Sequence, residues 1–423
     1  MRPIRRTRYV PAALAALSVV LAAALTGPVA AAPAAAAGPA STAAEPASTA
    51  AEPASTAAEP AAESRGPRLY VPDANPDAYL QALDLARDGR HREAAGIVAM
   101  ANTPQAVWYG DQSPAEVEKL ARDVVRDADR DDATPVFALY NVPGRDCSNY
   151  SAGGASNTAE YKAWIDAVAR GIGGHRAIVV LEPDSLALVP ADCGQDDAQG
   201  TLTAARYTEV NYAVDKLEPL SGTRVYLDTG HPGWHSVNSI VPRLVRGGVA
   251  RATGFFTNAS NYNTDDANSW YGKLISSCLA HVEAGGDSAA CPNQSWSRAD
   301  AQAWLDENVD TPASRMKHFV TDSSRNGQGP WTPPAGKYTD PQDWCNPPDR
   351  GLGARPTLRT GDPLQDARLW IKIPGESDGL CLRGTAGPED PEREMLAPRA
   401  GDWFREQALE LVRFANPPLL PEE

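Results

Sequence analysis

Residues 177–185 read AIVVLEPDS, an apolar run from Ala177 to Leu181 that stops abruptly on Glu182, Pro183 and Asp184. Consecutive apolar, mostly branched residues read as a strand buried on both faces, the kind found in parallel α/β sheets. Carboxylates at the carboxyl end of such a strand are costly beside a core unless they are paired or used. In parallel α/β architectures that end is also where substrates bind. The stretch therefore points to an acid-driven hydrolase.

Working outward, the same pattern recurs. Short apolar runs fall at Gly96–Met100, Pro135–Tyr140, Thr223–Leu227, Gly254–Thr257, His318–Val320 and Ala367–Ile373. Amphipathic stretches lie between most of them, at Pro114–Ala128, Ala159–Gly171, Thr201–Lys216 and Ser236–Val245. Such alternation predicts βαβ units and a parallel sheet. With Ala177–Leu181 the candidate strands number seven, which fits a barrel better than an open sheet, although spacing alone does not close it. Ser323–Asp362 is long and rich in Gly and Pro, and reads as a loop at the site.

Most runs deliver polar groups just past their carboxyl ends. The second leads into Tyr140, Asn141, Arg145 and Asp146, the third into Glu182 and Asp184, the fourth into Asp228 and His231. The fifth gives Asn258 and Asn261, the sixth Asp322 and Arg325, the seventh Lys372, Glu376 and Asp378. Any one of these acids has an equal claim to be a helix cap or a structural ion pair. Together they favour a catalytic rim. Glycoside hydrolysis needs one protonated acid for the leaving oxygen and a second carboxylate to help water or attack directly. Crowding supplies that asymmetry, because neighbouring negative charge raises the pKa of one member.

The 423-residue chain has room for one large α/β domain, and its net charge of −15 with six His argues against nucleic acid and a His-rich metal site. Ten Trp exceed the needs of a core, and flat aromatic faces stack on sugar rings; about half are expected in the core. Residues 1–37 read as an export signal, with Arg2, Arg5, Arg6 and Arg8 ahead of an apolar stretch from Val10 to Leu25. Residues 38–66 repeat ASTAAEP, with Pro46, Pro53 and Pro60 recurring, and read as a disordered linker or wall-spanning stalk. Residues 67–423 are then the catalytic domain, with no separate carbohydrate-binding module expected ahead of it. The mature protein is expected outside the cell, off the membrane and as a monomer, where its six Cys can pair.

VVLEPDSLALV and YNVPGRDCSNYSAGG (Tyr140–Gly154) resemble the two signature segments of glycoside hydrolase family 6, the inverting cellulases. YLDTGHPGWHS from Tyr226, TNASNY from Thr257, DSSRNGQGP from Asp322, DWCNP from Asp343 and LWIKIPGESDG from Leu369 match in family order. The resemblance spans residues 68 to 417. It implies a single catalytic domain folded as a distorted seven-stranded parallel β/α barrel, cleavage of β-1,4-glucan with inversion, and no metal or other cofactor. By the same resemblance Asp184 is the proton donor, Asp146 the acid that supports it, Asp378 the candidate base acting directly or through water, and Tyr140 the group that crowds the reactive sugar. Asp228, His231, Asn258, Lys372 and Glu376 then surround the sugars, and Trp108, Trp234 and Trp344 stack on or border glucose units. Cys147 with Cys193 and Cys345 with Cys381 match family disulfides, leaving Cys278 and Cys291 as a local third pair. Glu182, ahead of Pro183, reads as structural because it points away from its strand neighbours, and Trp164, mid-helix, reads as core.

Two other classes remain: a glucan-binding protein without activity, and a metal-dependent phosphoester or peptide hydrolase using the Asp/His rim with His231 and His235. The first is disfavoured by the presence of Asp146 and Asp184. The second lacks close Cys/His ligand spacing. Leu380–Arg399 is longer than the compact loop of open-cleft members of the family and shorter than that of tunnel-forming cellobiohydrolases. An endoglucanase with a partly covered cleft is expected, with an exo-acting cellobiohydrolase as the alternative.

Overall fold

The structure, a computed structural model, describes residues 67–421; the expected export signal and stalk lie outside these residues. One sheet holds seven parallel strands in chain order: β1 (Val107–Tyr109), β2 (Val136–Leu139), β3 (Ala177–Leu181), β4 (Thr223–Asp228), β5 (Gly254–Thr257), β6 (His318–Asp322) and β7 (Gln365–Leu369). β1 and β7 are the edges, and they meet. Ala106 N donates to Trp370 O at 2.9 Å and Trp108 Nε1 to Ile371 O at 2.8 Å. The sheet is thus curled into a distorted β/α barrel whose seam is held by contacts at the strand ends rather than by a ladder.

Alternation along the strands sorts their side chains into two cores. Val136, Ala138, Ile178, Val180, Tyr226, Phe256 and Val320 pack together within the barrel. Their neighbours Phe137, Leu139, Val179, Leu181, Val225, Leu227, Phe255 and Phe319 pack outward against the helices. The outer layer includes α3 (Pro114–Arg130), α4 (Thr158–Ile172), α5 (Thr201–Leu217), α6 (Val237–Arg246), α7 (Asp265–Glu283) and α8 (Arg298–Asn308). α3 shows why such helices form where they do. Ser113 and Glu116 make a reciprocal capping box, Pro114 occupies the first turn, and Val117, Ala121, Val125 and Ala128 bury one stripe. Trp164 is core, as its place within α4 suggested. Among the described residues Trp164 and Trp370 are buried, and Trp108, Trp270, Trp304 and Trp403 pack partly buried against the cores, in line with the half of the ten Trp expected there.

One strand expectation fails. Gly96–Met100 lies inside helix α2 (His91–Ala101), and the strand that opens the barrel is Val107–Tyr109. Short apolar runs do not distinguish strand from buried helix. Ala94, Ile97 and Ala101 recur at helical spacing and pack with α1 (Pro76–Arg87), α9 (Arg405–Arg413) and Trp370 in a third core.

β5 opens on Gly254 because it pairs with His318 at very close range: a Cβ there would stand 1.8 Å from the His318 carbonyl oxygen. Gly254→Ala must push β5 and β6 apart, and is expected to cost more than about 3 kcal/mol. Differential scanning calorimetry should show a melting midpoint lowered by at least about 5 °C; an unchanged midpoint would contradict the close approach.

Candidate active site

The segment expected to carry the proton donor is a sharp turn at the end of β3. Glu182 (φ 54°) and Asp184 (φ 67°) both adopt left-handed backbone, which non-glycine residues rarely take outside functional turns. Glu182 is fully buried, and its Oε2 accepts from Asn141 N at 2.7 Å and Val142 N at 3.0 Å. It therefore fixes the loop after β2 and takes no place in the cleft. Across that loop, the Tyr140 hydroxyl donates to Asp184 Oδ2 at 3.1 Å. Trp108 meets the Tyr140 ring edge-on at 5.6 Å, and the Arg145 guanidinium lies 4.9 Å from its centroid.

Asp146 stands in a second tight turn, where Asp146, Cys147 and Ser148 all have positive φ. Ser151 N donates to its Oδ2 at 2.6 Å, and the Cys147–Cys193 disulfide ties this turn to the segment after Asp184. Asp228 ends β4, where its carboxylate accepts from Gly230 N (2.9 Å), Ala187 N (2.8 Å) and Leu186 N (3.2 Å). Burial pushes all three acids upward. Three backbone donors partly restore the charge of Asp228. Asp184 has only the tyrosine hydroxyl, and burial together with the negative charges of Asp228 and Asp146 pushes its carboxyl up to about 8. These surroundings favour the protonated form of Asp184.

Asp378 is the opposite case. Its Oδ2 accepts from Arg325 Nη1 (2.8 Å), Asn346 N (3.0 Å) and the Tyr262 hydroxyl (3.3 Å), while Lys372 Nζ lies 3.4 Å from Oδ1. Burial opposes its charge, but Arg325 and Lys372 outweigh burial and hold it below the usual carboxylate range. Half-buried Glu376 faces Asn75 at 3.4 Å; burial raises its carboxyl, and Lys372 counters this. His231 is neutral, because burial pushes its imidazole down to about 4. Trp234 in the same loop is exposed.

Asn258 departs from the expectation of a sugar contact. It is fully enclosed: its amide donates to Asp322 O at 2.8 Å, and its carbonyl accepts from Asn263 N at 3.0 Å. Asp322 is likewise spent inside the protein, accepting from Ser260 N, Ser324 N, Ile371 N and Lys372 N. Both hold loops together.

The loops bearing Asp146 and Asp378 touch. Tyr150 packs against Gly379, accepts from Leu382 N at 2.9 Å, donates to Gln342 Oε1 at 3.2 Å, and lies 6.2 Å from Trp344. The Leu380–Arg399 loop is pinned beyond it by the Cys345–Cys381 disulfide and by Arg383, which pairs with Asp390 and also donates to the Pro341, Gln342 and Cys345 carbonyls. Cys278 pairs with Cys291.

Sequence reading missed Arg206, Tyr262 and Asn346. Arg206 is buried on α5 and donates to Pro143 O (2.8 Å) and Ser185 O (3.2 Å), bracing the Asp146 loop against the Asp184 turn. A signal existed: Arg206 shares a helical stripe with Val210, Ala213 and Leu217, where a solvated charge has no place.

Crowded carboxylates at the C-terminal ends of the strands of a parallel barrel are an arrangement suited to acid-assisted glycoside cleavage. The chain belongs to the glycosyl hydrolases family 6, whose profile matches residues 64–415. Endoglucanase A of Cellulomonas fimi is 37% identical over 327 residues, 77% of this chain; the match spans 57% of that protein's length. A probable 1,4-beta-D-glucan cellobiohydrolase C of Neosartorya fischeri is 31% identical over 75% of this chain and 71% of its own. The solved endoglucanase Cel6 of Mycobacterium tuberculosis, in complex with a thio-linked cellobioside, superimposes with a TM-score of 0.63 at 35% identity, covering 83% of this chain and 98% of that one.

Arg383 and Asp390 are both fully buried, so deleting one partner strands the other. Asp390→Ala is expected to cost about 3–5 kcal/mol locally. Limited proteolysis should then cut within residues 380–399 well before the rest of the domain; uniform resistance would show that the pair does not hold the loop.

Proposed function

We propose that residues 67–423 form the catalytic domain of a secreted, inverting β-1,4-glucanase, exported by residues 1–37 and carried on the 38–66 stalk. The observation that carries the reading is Asp184 held under the Tyr140 hydroxyl, with Asp146 and Asp228 raising its pKa, while Arg325 and Lys372 hold Asp378. In the reaction Asp184 gives its proton to the glycosidic oxygen as the bond to the anomeric carbon breaks. Water adds to that carbon from the opposite face, and its proton leaves toward Asp378 through intervening water, since Arg325 and Lys372 already satisfy that carboxylate. Inverting sites leave room for this water, with the two carboxyls about 6.5–9.5 Å apart. Asp146 and Asp228 keep the donor protonated, and Tyr140 presses on the sugar undergoing cleavage. Trp108, Trp234 and Trp344 supply flat faces for neighbouring glucose units, and His231, Lys372 and Glu376 supply polar contacts. The secreted location is supported by the three disulfides and the apolar, Arg-headed first segment.

Endo action is favoured by exposed Trp234 on one side of the cleft and by a covering loop of intermediate length on the other. The exo alternative is favoured by that loop's locked contact with Tyr150.

The donor must be protonated, so kcat should fall as pH rises through about 8, where the Asp184–Asp228 pair loses its proton. It should also fall in acid, once Asp378 is neutralised below the usual carboxylate range. Asp184→Ala should lose at least about a hundredfold in turnover on unactivated glucan while keeping its circular dichroism spectrum; near-wild-type turnover on cellulose would exclude the donor assignment. Viscometry on carboxymethylcellulose separates the two modes. Rapid thinning with little reducing sugar is expected, whereas cellobiose release without thinning marks an exo enzyme.

A further inference from the structure

Among the described residues Trp234 and Trp296 are the exposed tryptophans, at 40% and 41%. The site accounts for the first and not for the second. Single exposed apolar residues are ordinary on protein surfaces, so exposure alone says little about Trp296. Its mounting says more.

Trp296 stands between two anchors, both on the mouth of the barrel. On one side Gln294 Nε2 donates to Pro232 O and His235 O, each at 2.8 Å, gripping the loop that presents Trp234 from both ends. On the other side Ser297 caps α8, and Arg298 pairs with Asp266 and covers the Trp270 ring at 5.2 Å, near the start of α7 just beyond β5. Trp296 is two residues from each anchor, at most about 7 Å of extended chain. The segment is also fixed from below. The Cys278–Cys291 disulfide joins it to α7, and the Asn238 side chain donates to the Ser288, Ala289 and Cys291 carbonyls while accepting from Asn293 Nδ2. Trp296 N itself donates to Asn293 O at 3.0 Å.

A large apolar ring on so constrained a backbone loses little freedom on contact with a ligand, which favours stacking. Trp270 has no such use, because Arg298 and Lys273 lie over it. We propose that Trp296 is a further, distal subsite that stacks a glucose ring of a long β-glucan chain after that chain has passed Trp234. The Cys278–Cys291 link and Gln294 hold it in line. This inference rests on the glucanase reading above and assigns a site to the third disulfide.

The test compares binding of cellotetraose and cellohexaose by calorimetry in an Asp184→Ala background, with and without Trp296→Ala, together with kcat/KM of the otherwise native enzyme on both. Trp296→Ala is expected to weaken cellohexaose binding and kcat/KM by roughly three- to tenfold and to leave cellotetraose within twofold. Trp296→Phe should restore most of the difference, and the melting midpoint should not move. Equal effects on the two sugars, or none on cellohexaose, would overturn the subsite. A native enzyme that binds cellohexaose through Trp296 but cleaves neither sugar would instead overturn the glucanase reading and leave the subsite standing.

Discussion

Asp184, in the turn after β3, and Asp228, at the end of β4, sense each other's charge, which disfavours ionising both, and the surrounding structure is arranged around this constraint. Asp228 is given three backbone N–H donors and Asp184 a single hydroxyl, so the proton settles on Asp184. Holding a neutral acid in a left-handed turn requires support from outside the site. Glu182 grips the adjoining loop from beneath, and Arg206 braces that loop against Ser185. Arg206 directs its donors at carbonyls rather than at Asp184, a contact that would favour the ionised form of that carboxyl.

Asp378 is arranged on the opposite principle. Asp378 is at least as enclosed as Asp184, yet Arg325 and Lys372 keep it charged. Burial is common to both, and the nearest full charge decides the protonation state. One carboxyl group is thus kept neutral by neighbouring anions and another kept anionic by cations.

Much of this was legible in the chain. The Ala177–Leu181 run, the polar residues past each strand and the alternation with helices follow from local hydrophobic pattern, which the fold obeys. What was not legible depends on partners distant in sequence. Val107–Tyr109 is too short to announce a strand and takes its place through pairing with β2 and through the seam to Trp370 and Ile371. Gly96–Met100 resembled a strand because five apolar residues carry no period; its packing against α1 and α9 makes it helix. Asn258 sits at a strand end like the acids, but its amide is consumed by Asp322 and Asn263, and no local feature distinguishes an amide that faces sugar from one that ties loops.

Tyr150 belongs to the loop that bears Asp146, yet it seats Gly379, Leu382 and Gln342, which belong to the 380–399 loop, its lead-in and its disulfide-linked partner. Roof and floor therefore share a keystone. A change in the length of the 380–399 loop therefore disturbs the seat of Tyr150 and, through it, the turn that holds Asp146.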